Sequence, residues 1–140
     1  MVTQFIYSAL SATTYLSTDL NSLADENNFL GGAINNSSNR DMLLMVEIYL
    51  ASADLSSQTS PGIQVRLMES IDDSNYEDND DQAYCITLAV APTSAAHRRI
   101  GHIEIPPGYF KLAIVNETGV AFAASGNTFK YAPYTPETDS

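Results

Sequence analysis

The 140-residue sequence contains few cations, one cysteine, two histidines and no tryptophan. Six Lys and Arg against 17 Asp and Glu give a net charge of -11, which opposes binding to nucleic acid and to anionic lipid. The single cysteine, Cys85, excludes a disulfide within the chain, and its apolar neighbours predict a buried, structural side chain. No apolar run approaches the ~18 residues of a membrane-spanning helix, and the first residues include no basic segment of a secretion signal. We therefore expect a soluble protein made in a cytoplasm, with neither a membrane nor a nucleic acid as partner.

Motifs for catalysis and for cofactor or metal binding are missing as well. His97 and His102 are five residues apart, which places them on opposite faces of a strand and argues against a shared metal ion. Ser125 lacks the flanking glycines of a nucleophile elbow, and the segment that begins at Asp73 lacks the glycine and the final glutamate of a calcium loop. We expect no catalytic residue, no cofactor and no metal ion, and predict that the protein is not an enzyme.

The apolar residues that are present follow the period of β-strands. Residues 63–69 alternate between apolar and polar side chains, as in a strand with one wet face. Residues 42–50 are largely apolar on both faces, and residues 100–105 add a further strand pattern. In residues 84–90, alternate residues from Tyr84 to Val90 predict a strand with one buried face. About eight such segments without a long amphipathic helix predict one all-β domain, an antiparallel two-sheet β-sandwich of the jelly-roll type.

Residues 103–131 predict four consecutive strands joined by tight turns, that is, an antiparallel meander. Pro107-Gly108 fits the central positions of a type II turn, in which glycine takes a positive φ. Residues 116–119 predict a hairpin turn in which Asn116 caps its own backbone and the glycine has a positive φ, and Ser125-Gly126-Asn127 predicts the next turn. Between these two turns, residues 120–124 read as a strand.

The two ends of the chain and one internal segment differ from this pattern. We divide the chain into an N-terminal arm or first edge strand (1–20), a β-sandwich domain (21–131) and an extended C-terminal tail (132–140). Seven of the 17 carboxylates fall within residues 69–81, which predicts a solvated loop because so much negative charge resists burial.

Several phrases of the sequence resemble small capsid decoration proteins, or cement proteins, of tailed bacteriophages. The phrases are Ile-Pro-Pro-Gly-Tyr-Phe-Lys at 105–111, Asn-Glu-Thr-Gly-Val-Ala at 116–121, Ala-Ser-Gly-Asn-Thr at 124–128, and the segments 20–23, 32–36 and 69–76. The resemblance spans roughly residues 20 to 134. The chain departs from it at Asp73-Ser74-Asn75, where the family often has Asp-Gly before the tyrosine.

The resemblance implies a trimeric jelly-roll protein on the exterior of a virion, made in the host cytoplasm, which binds the major capsid protein and reinforces contacts between capsomers. Our hypothesis is that aromatic residues near both termini and two arginines make the contacts with neighbouring subunits. These candidate interface residues are Phe5, Ile6, Tyr7, Arg98, Arg99, Tyr131 and Tyr134. Each also has a structural alternative: an ordinary first strand for residues 5–7, ion pairs within the monomer for the arginines, core packing for Tyr131 and disorder for Tyr134.

Two other classes of function stay open at the level of sequence. A carbohydrate- or receptor-binding module of a virion could stack sugar on tyrosines, of which there are eight, and hold hydroxyl groups with Asp72 or Asp73. A glycoside hydrolase would need two carboxylates on opposite sides of a groove, whereas the acidic residues here cluster in one segment.

Overall fold

The computed structural model describes residues 4–79 and 84–139, with the backbone alone for Phe5, Thr138 and Asp139. Within these ranges the chain forms eleven strands and one short 3-10 turn at Thr18–Leu20. The strands are β1 Gln4–Tyr7, β2 Thr13–Leu16, β3 Asn28–Leu30, β4 Ile34–Asn35, β5 Leu43–Leu50, β6 Gly62–Ser70, β7 Tyr84–Ala89, β8 His97–Glu104, β9 Tyr109–Glu117, β10 Thr128–Tyr134 and β11 Pro136–Asp139.

The strands from β2 to β10 form two antiparallel sheets that pack face to face. One, the β5 sheet, has the order β2-β10-β5-β8, and the other, the β6 sheet, has the order β3-β9-β6-β7 with β4 also beside β9. Every strand pair is antiparallel. Because early and late strands pair within each sheet while the chain crosses repeatedly between the sheets, the sandwich is a jelly roll. The predicted all-β, two-sheet fold is confirmed.

The core lies between the two sheets and is formed by alternate residues of their strands. Leu44, Val46, Ile48 and Leu50 of β5 face inward, against alternate residues of β6 such as Val65. Each fully buried aliphatic or aromatic side chain contributes roughly 1.5–3 kcal/mol to folding. The largest side chains that are fully buried include Phe110, Phe129, Leu20, Leu44, Ile48, Ile63, Met68 and Ile103.

On one side of the sandwich, Gly101 allows the edges of the two sheets to approach each other. A Cβ atom on Gly101 of β8 would lie 2.7 Å from Cδ1 of Ile86 and 3.0 Å from Cδ2 of Leu88. The missing side chain therefore lets β8, at the edge of one sheet, approach β7, at the edge of the other.

The predicted meander over 103–131 is wrong in two respects. First, β8 and β9 belong to different sheets, and Gly108 between them does not have the positive φ of a type II turn. The connection crosses the end of the sandwich, where Asn36 Nδ2 donates to the Pro106 carbonyl at 2.7 Å and the Gly108 carbonyl accepts from the Asn36 amide at 2.8 Å. Both Ile103 and Phe110 are thereby buried in the shared core from opposite sheets.

Second, residues 120–124 form a loop where a strand was expected. Asn116 Nδ2 donates to the carbonyls of Leu23 and Val120, both at 2.8 Å, and these bonds satisfy the loop backbone without a strand partner. The turn chemistry itself is confirmed: Asn116 Oδ1 accepts from the Thr118 amide at 2.9 Å, and Gly119 has a φ of +92°. Gly126 has a φ of +88°, as its predicted turn requires.

The tail is also more ordered than the sequence predicts. Strand β10 continues to Tyr134, where we expected it to end at Tyr131, and Ala132 and Tyr134 are buried. Beyond it, β11 pairs with β1 in a separate two-stranded sheet. The end of the chain is held by a distant segment, the beginning of the chain, and no local pattern reveals such a partner.

Residues 71–79 of the acidic segment form a loop, as predicted, which folds back over the outer face of the β6 sheet, and residues 80 and 81 lie outside the described part. The amide of Glu77 donates to the Glu69 carbonyl at 3.1 Å, and Glu77 Oε1 accepts from the Glu69 amide at 2.9 Å. Lys111 Nζ lies 4.2 Å from the centroid of the Tyr76 ring, and Met68 on this face is buried. The basic side chain on the sheet favours the return of the negatively charged loop.

Cys85 is exposed, which contradicts the prediction of a buried cysteine. Cys85 pairs with Arg66 of β6 and lies on the outer face of the β6 sheet. The even-numbered residues of β7 therefore face the other sheet. On that inward parity Leu88 is buried, while Tyr84 at the strand end is 52% exposed, also against expectation. Within the described ranges, no helix is long and apolar enough to span a membrane.

Candidate interaction surfaces

The first surface is the two-stranded sheet of β1 and β11, here called the terminal ribbon. Its register places Ile6 opposite Glu137 and Tyr7 opposite Pro136. Ile6 is 41% exposed and Tyr7 is 70% exposed. Among the described strands, neither β1 nor β11 pairs with a third strand, so both outer edges carry backbone groups that can pair with another chain.

Contacts at the base of the terminal ribbon hold its two strands together and attach it to the sandwich. The Ser8 amide donates to the Thr135 carbonyl at 3.0 Å, and the Thr135 amide donates to Ser8 Oγ at 2.9 Å. The rings of Tyr7 and Tyr134 pack edge to face, with centroids 5.6 Å apart. The ribbon is therefore anchored at its base while Ile6 remains in solvent.

The predicted interface residues near the termini divide between this surface and its support. Ile6 and Tyr7 lie on the ribbon, and the backbone of Phe5 pairs with Thr138, whereas the Phe5 side chain lies outside the described part. Tyr134 is buried beneath Tyr7, and its hydroxyl is 2.8 Å from His102 Nδ1. Tyr131 packs against the core, with its ring centroid 5.6 Å from that of Tyr15.

The second surface is a groove of about 320 Å³ on the outer face of the β5 sheet, here called the β5-sheet groove. Its apolar lining includes Leu10, Met45 and Ile100, and its polar lining includes Glu47, Arg98 and Lys130. Leu10 is 52% exposed and Ile100 is 49% exposed. The segment after β1 forms one wall, and β8, at the edge of the sheet, forms the other.

Arg98 is already engaged within the chain. Its Nη1 lies 2.7 Å from Glu47 Oε1, and its guanidinium carbon lies 4.9 Å from the centroid of the Tyr49 ring. Arg98 is 56% exposed and Glu47 is 26% exposed, so solvent screens the pair and its contribution to stability is small. Arg99 lies next to it on the opposite parity of β8 and is exposed. The sequence was compatible with two roles for both arginines, contacts with a neighbouring subunit and ion pairs within the monomer.

The third surface is a trough at the end of the sandwich between β7 and β8, here called the Tyr84 trough. It has a volume of about 260 Å³, and Tyr84, Glu69 and Glu104 line it above the apolar side chains of Leu67 and Ile105. A second groove of about 450 Å³ shares Glu104 and Ile105 with it and extends it towards Met42. The sequence does not predict this site, because Tyr84 has the same parity as the buried residues of β7. Its ring is exposed because Tyr84 lies at the end of the strand, beyond the cover of the other sheet.

The aspartates that the sequence offered for sugar binding are used within their own loop. Asp72 accepts hydrogen bonds from the amide and the side chain of Asn75 and from the amide of Ser74, at 2.8 to 2.9 Å. These bonds hold the pKa of the Asp72 carboxyl well below its usual range. Asp73 accepts a hydrogen bond from the Tyr76 hydroxyl, and desolvation together with this carboxylate raises the pKa of Tyr76 to about 12.

Within residues 4–79 and 84–139, no three His, Cys, Asp or Glu side chains converge in a way that could hold a metal ion. In the same part of the chain, every buried side-chain nitrogen or oxygen has a hydrogen-bond partner. Most of the large apolar and aromatic side chains that are exposed in the described structure lie on the three surfaces above or on the adjoining groove at Met42, and Leu30 and Ile71 lie outside them.

No protein-family model and no curated protein matches the chain. Among solved structures, similarity is found to the exo-β-1,3-galactanase of Phanerochaete chrysosporium (TM-score 0.43, 15% identity), to the C-terminal domain of EclA, a sugar-binding protein (0.37, 12%), and to the enzymatically active domain of tailspike protein 4 of bacteriophage CBA120 (0.39, 10%). These alignments cover 91%, 93% and 96% of this chain, and 30%, 79% and 19% of the other chains, respectively. At this level of similarity no function is transferred to the chain.

Proposed function

We propose that the chain is a non-catalytic virion protein that binds the outside of an icosahedral phage shell and reinforces contacts between capsomers. The observation that carries the proposal is the terminal ribbon, which stands outside the two main sheets, presents Ile6 and Tyr7 to solvent and has two open strand edges. The resemblance of residues 105–128 to capsid decoration proteins supplies the class of partner.

The ribbon has the properties that such a role requires. A strand with an open edge can add to a sheet of another protein, where backbone hydrogen bonds give affinity and side chains give specificity. Exposed apolar and aromatic residues such as Ile6 and Tyr7 supply anchors for a protein interface. Because these residues are not part of the core, they can be committed to a partner without loss of the fold.

Co-sedimentation with undecorated shells of the cognate phage tests this proposal. We expect the purified protein to bind the shells and to raise the temperature at which they lose integrity. Ile6→Asp should weaken binding at least tenfold, because it places a charge in an apolar contact. Ile71→Asp is the matched control, since Ile71 is 98% exposed and lies in the acidic loop, away from the ribbon. Shells that neither bind the protein nor gain heat resistance would refute the proposal.

A second candidate function is the binding of a neutral carbohydrate, and the Tyr84 trough favours it. An exposed tyrosine ring above an apolar floor offers a surface on which the face of a sugar ring can stack. Glu69 and Glu104 line the same trough and can accept hydrogen bonds from sugar hydroxyl groups. In this arrangement the chain would be the receptor- or glycan-recognising module of a virion.

Glycan-array screening followed by titration of the best ligand tests this second candidate. We expect Tyr84→Ala to weaken binding about tenfold through the lost stacking surface. Tyr49→Ala is the control, because Tyr49 is also a surface tyrosine but lies on the β5 sheet beside Arg98. Equal binding by the Tyr84→Ala variant would exclude the trough, and a protein that binds no glycan would exclude the function.

A further inference from the structure

The β5-sheet groove is an exposed, partly apolar surface that carries positive charge in a strongly negative molecule. Arg98 and Lys130 lie on either side of Glu47 in the sheet register, opposite Tyr49 and Glu47 respectively. They are two of the six cations of the chain. Two others, Arg66 and Lys111, are engaged by the acidic loop on the other sheet.

The apolar part of the groove also lacks a cover within the described chain. Leu10 and Ile100, one on each wall, are each about half exposed, and Met45 lies between the walls. Contiguous apolar surface of this kind, rimmed by charge, is typical of a protein-binding site.

The terminal ribbon carries the complementary surface. Directly opposed residues of an antiparallel pair lie on the same face of a sheet, so Ile6 and Glu137 share one face of the ribbon. Both are exposed. That face thus offers one branched aliphatic side chain and one carboxylate, which match the apolar walls and the cations of the groove.

We propose that the β5-sheet groove binds the Ile6 and Glu137 face of the terminal ribbon of a second copy of this chain. The contact is head to tail, because ribbon and groove are different surfaces, so repetition around an axis closes a ring in which every ribbon and every groove is used. This contact gives the terminal ribbon a partner, and it rests on the assembly role proposed above. In this arrangement Ile6 is occupied by the neighbouring copy, so the shell meets the strand edges of the ribbon and the exposed Tyr7 side chain. Ile6→Asp then weakens shell binding by releasing the copies from one another.

Disulfide cross-linking between two different single-cysteine variants tests the contact without any shell present. Both variants carry Cys85→Ser; one adds Ile6→Cys and the other Ile100→Cys. After mixing in oxidised glutathione, we expect a mixed disulfide to form, since these positions face each other across the proposed contact. The same reaction between Ile71→Cys and Ile100→Cys is the control and should give at most a trace of product.

A charge exchange separates a specific contact from random collision. We expect Arg98→Glu to lower the yield of the Ile6–Ile100 cross-link several-fold, and the further change Glu137→Arg to restore it. Sedimentation of the unmodified protein should show a mass above the 15.2 kDa of one chain. A monomer at all concentrations, or cross-linking no better than the control, overturns the proposal. Either result leaves shell binding by single chains to be judged by its own assay.

Discussion

Asn116 is a polar side chain with no exposed surface that organises the connection between β9 and β10. Its amide nitrogen donates to the carbonyls of Leu23 and Val120, and its oxygen accepts from the amide and the hydroxyl of Thr118. All of its hydrogen-bonding capacity is thereby used, which is the condition under which a buried amide stabilises a fold.

Replacement of Asn116 by alanine should destabilise the protein by about 3 kcal/mol. The change removes the side-chain hydrogen bonds to Leu23, Val120 and Thr118 and leaves the Thr118 amide without its partner. A lost hydrogen bond costs ~0.5–1.5 kcal/mol and an unpaired buried group ~1–3 kcal/mol. The carbonyls of Leu23 and Val120 keep the Phe122 amide and the Thr118 hydroxyl as partners. Urea unfolding measures the difference, with Asn35→Ala as the control because Asn35 is exposed and bonds only to Ser37 two residues along. A loss below about 1 kcal/mol for Asn116→Ala would show that water or a rearranged loop replaces these bonds.

Single residues were predictable where their role is local. The capping by Asn116, the positive φ of Gly119 and the turn at Gly126 follow from turn chemistry within a few residues. The exposure of Cys85 and Tyr84 was predicted wrongly, because their sequence neighbours do not show that the outer face of β7 is uncovered at Cys85 or where the cover of its inner face ends.

At the scale of the element, the acidic loop is held in shape mainly by Asp72. This carboxylate accepts the amide hydrogen atoms of Ser74 and Asn75 and so closes the turn that brings Tyr76 over Lys111. The loop is therefore both the most negatively charged segment and a cover for Met68 on the β6 sheet.

Asp72→Ala should release this loop. We expect the protection of the Ser74 and Asn75 amides against hydrogen exchange to fall roughly tenfold at pH 7, as for loss of a hydrogen bond to a charged acceptor. Because the pKa of Asp72 is lowered from its ordinary value of 3.8, its contribution is complete above about pH 4 and is lost as the pH falls further. The wild type should therefore approach the variant in acid. A difference that persists unchanged down to pH 2 would argue against the carboxylate as its source.

Strands with a clear alternation were predicted correctly, and connections between sheets were not. The patterns at 42–50 and 63–69 correspond to β5 and β6, and Ile63, Val65 and Leu67 face inward as expected. The meander failed because a tight turn and a crossing between sheets both use proline and glycine, and long-range pairing decides between them. The pairing of β1 with β11 joins residues more than 120 positions apart, beyond the reach of any local signal.

At the scale of the whole molecule, the protein consists of a jelly-roll sandwich and a two-stranded terminal ribbon that we propose as its binding element. The same architecture places cations on the outer face of the β5 sheet and leaves most of the remaining surface negative, with a net charge of -11. Such a distribution limits non-specific association and favours the few contacts in which apolar and charged groups match. The three surfaces were not predictable as surfaces, since each joins residues from distant parts of the chain.

The most direct test of the central claim, that this protein binds and strengthens a phage shell through its terminal ribbon, is the number of copies that co-sediment with undecorated shells of the cognate phage. We predict saturable binding by the wild type and by Ile71→Asp, with a parallel gain in heat resistance of the shells, and at least tenfold weaker binding by Ile6→Asp. Failure of the wild type to bind, or equal binding by all three proteins, would contradict the account.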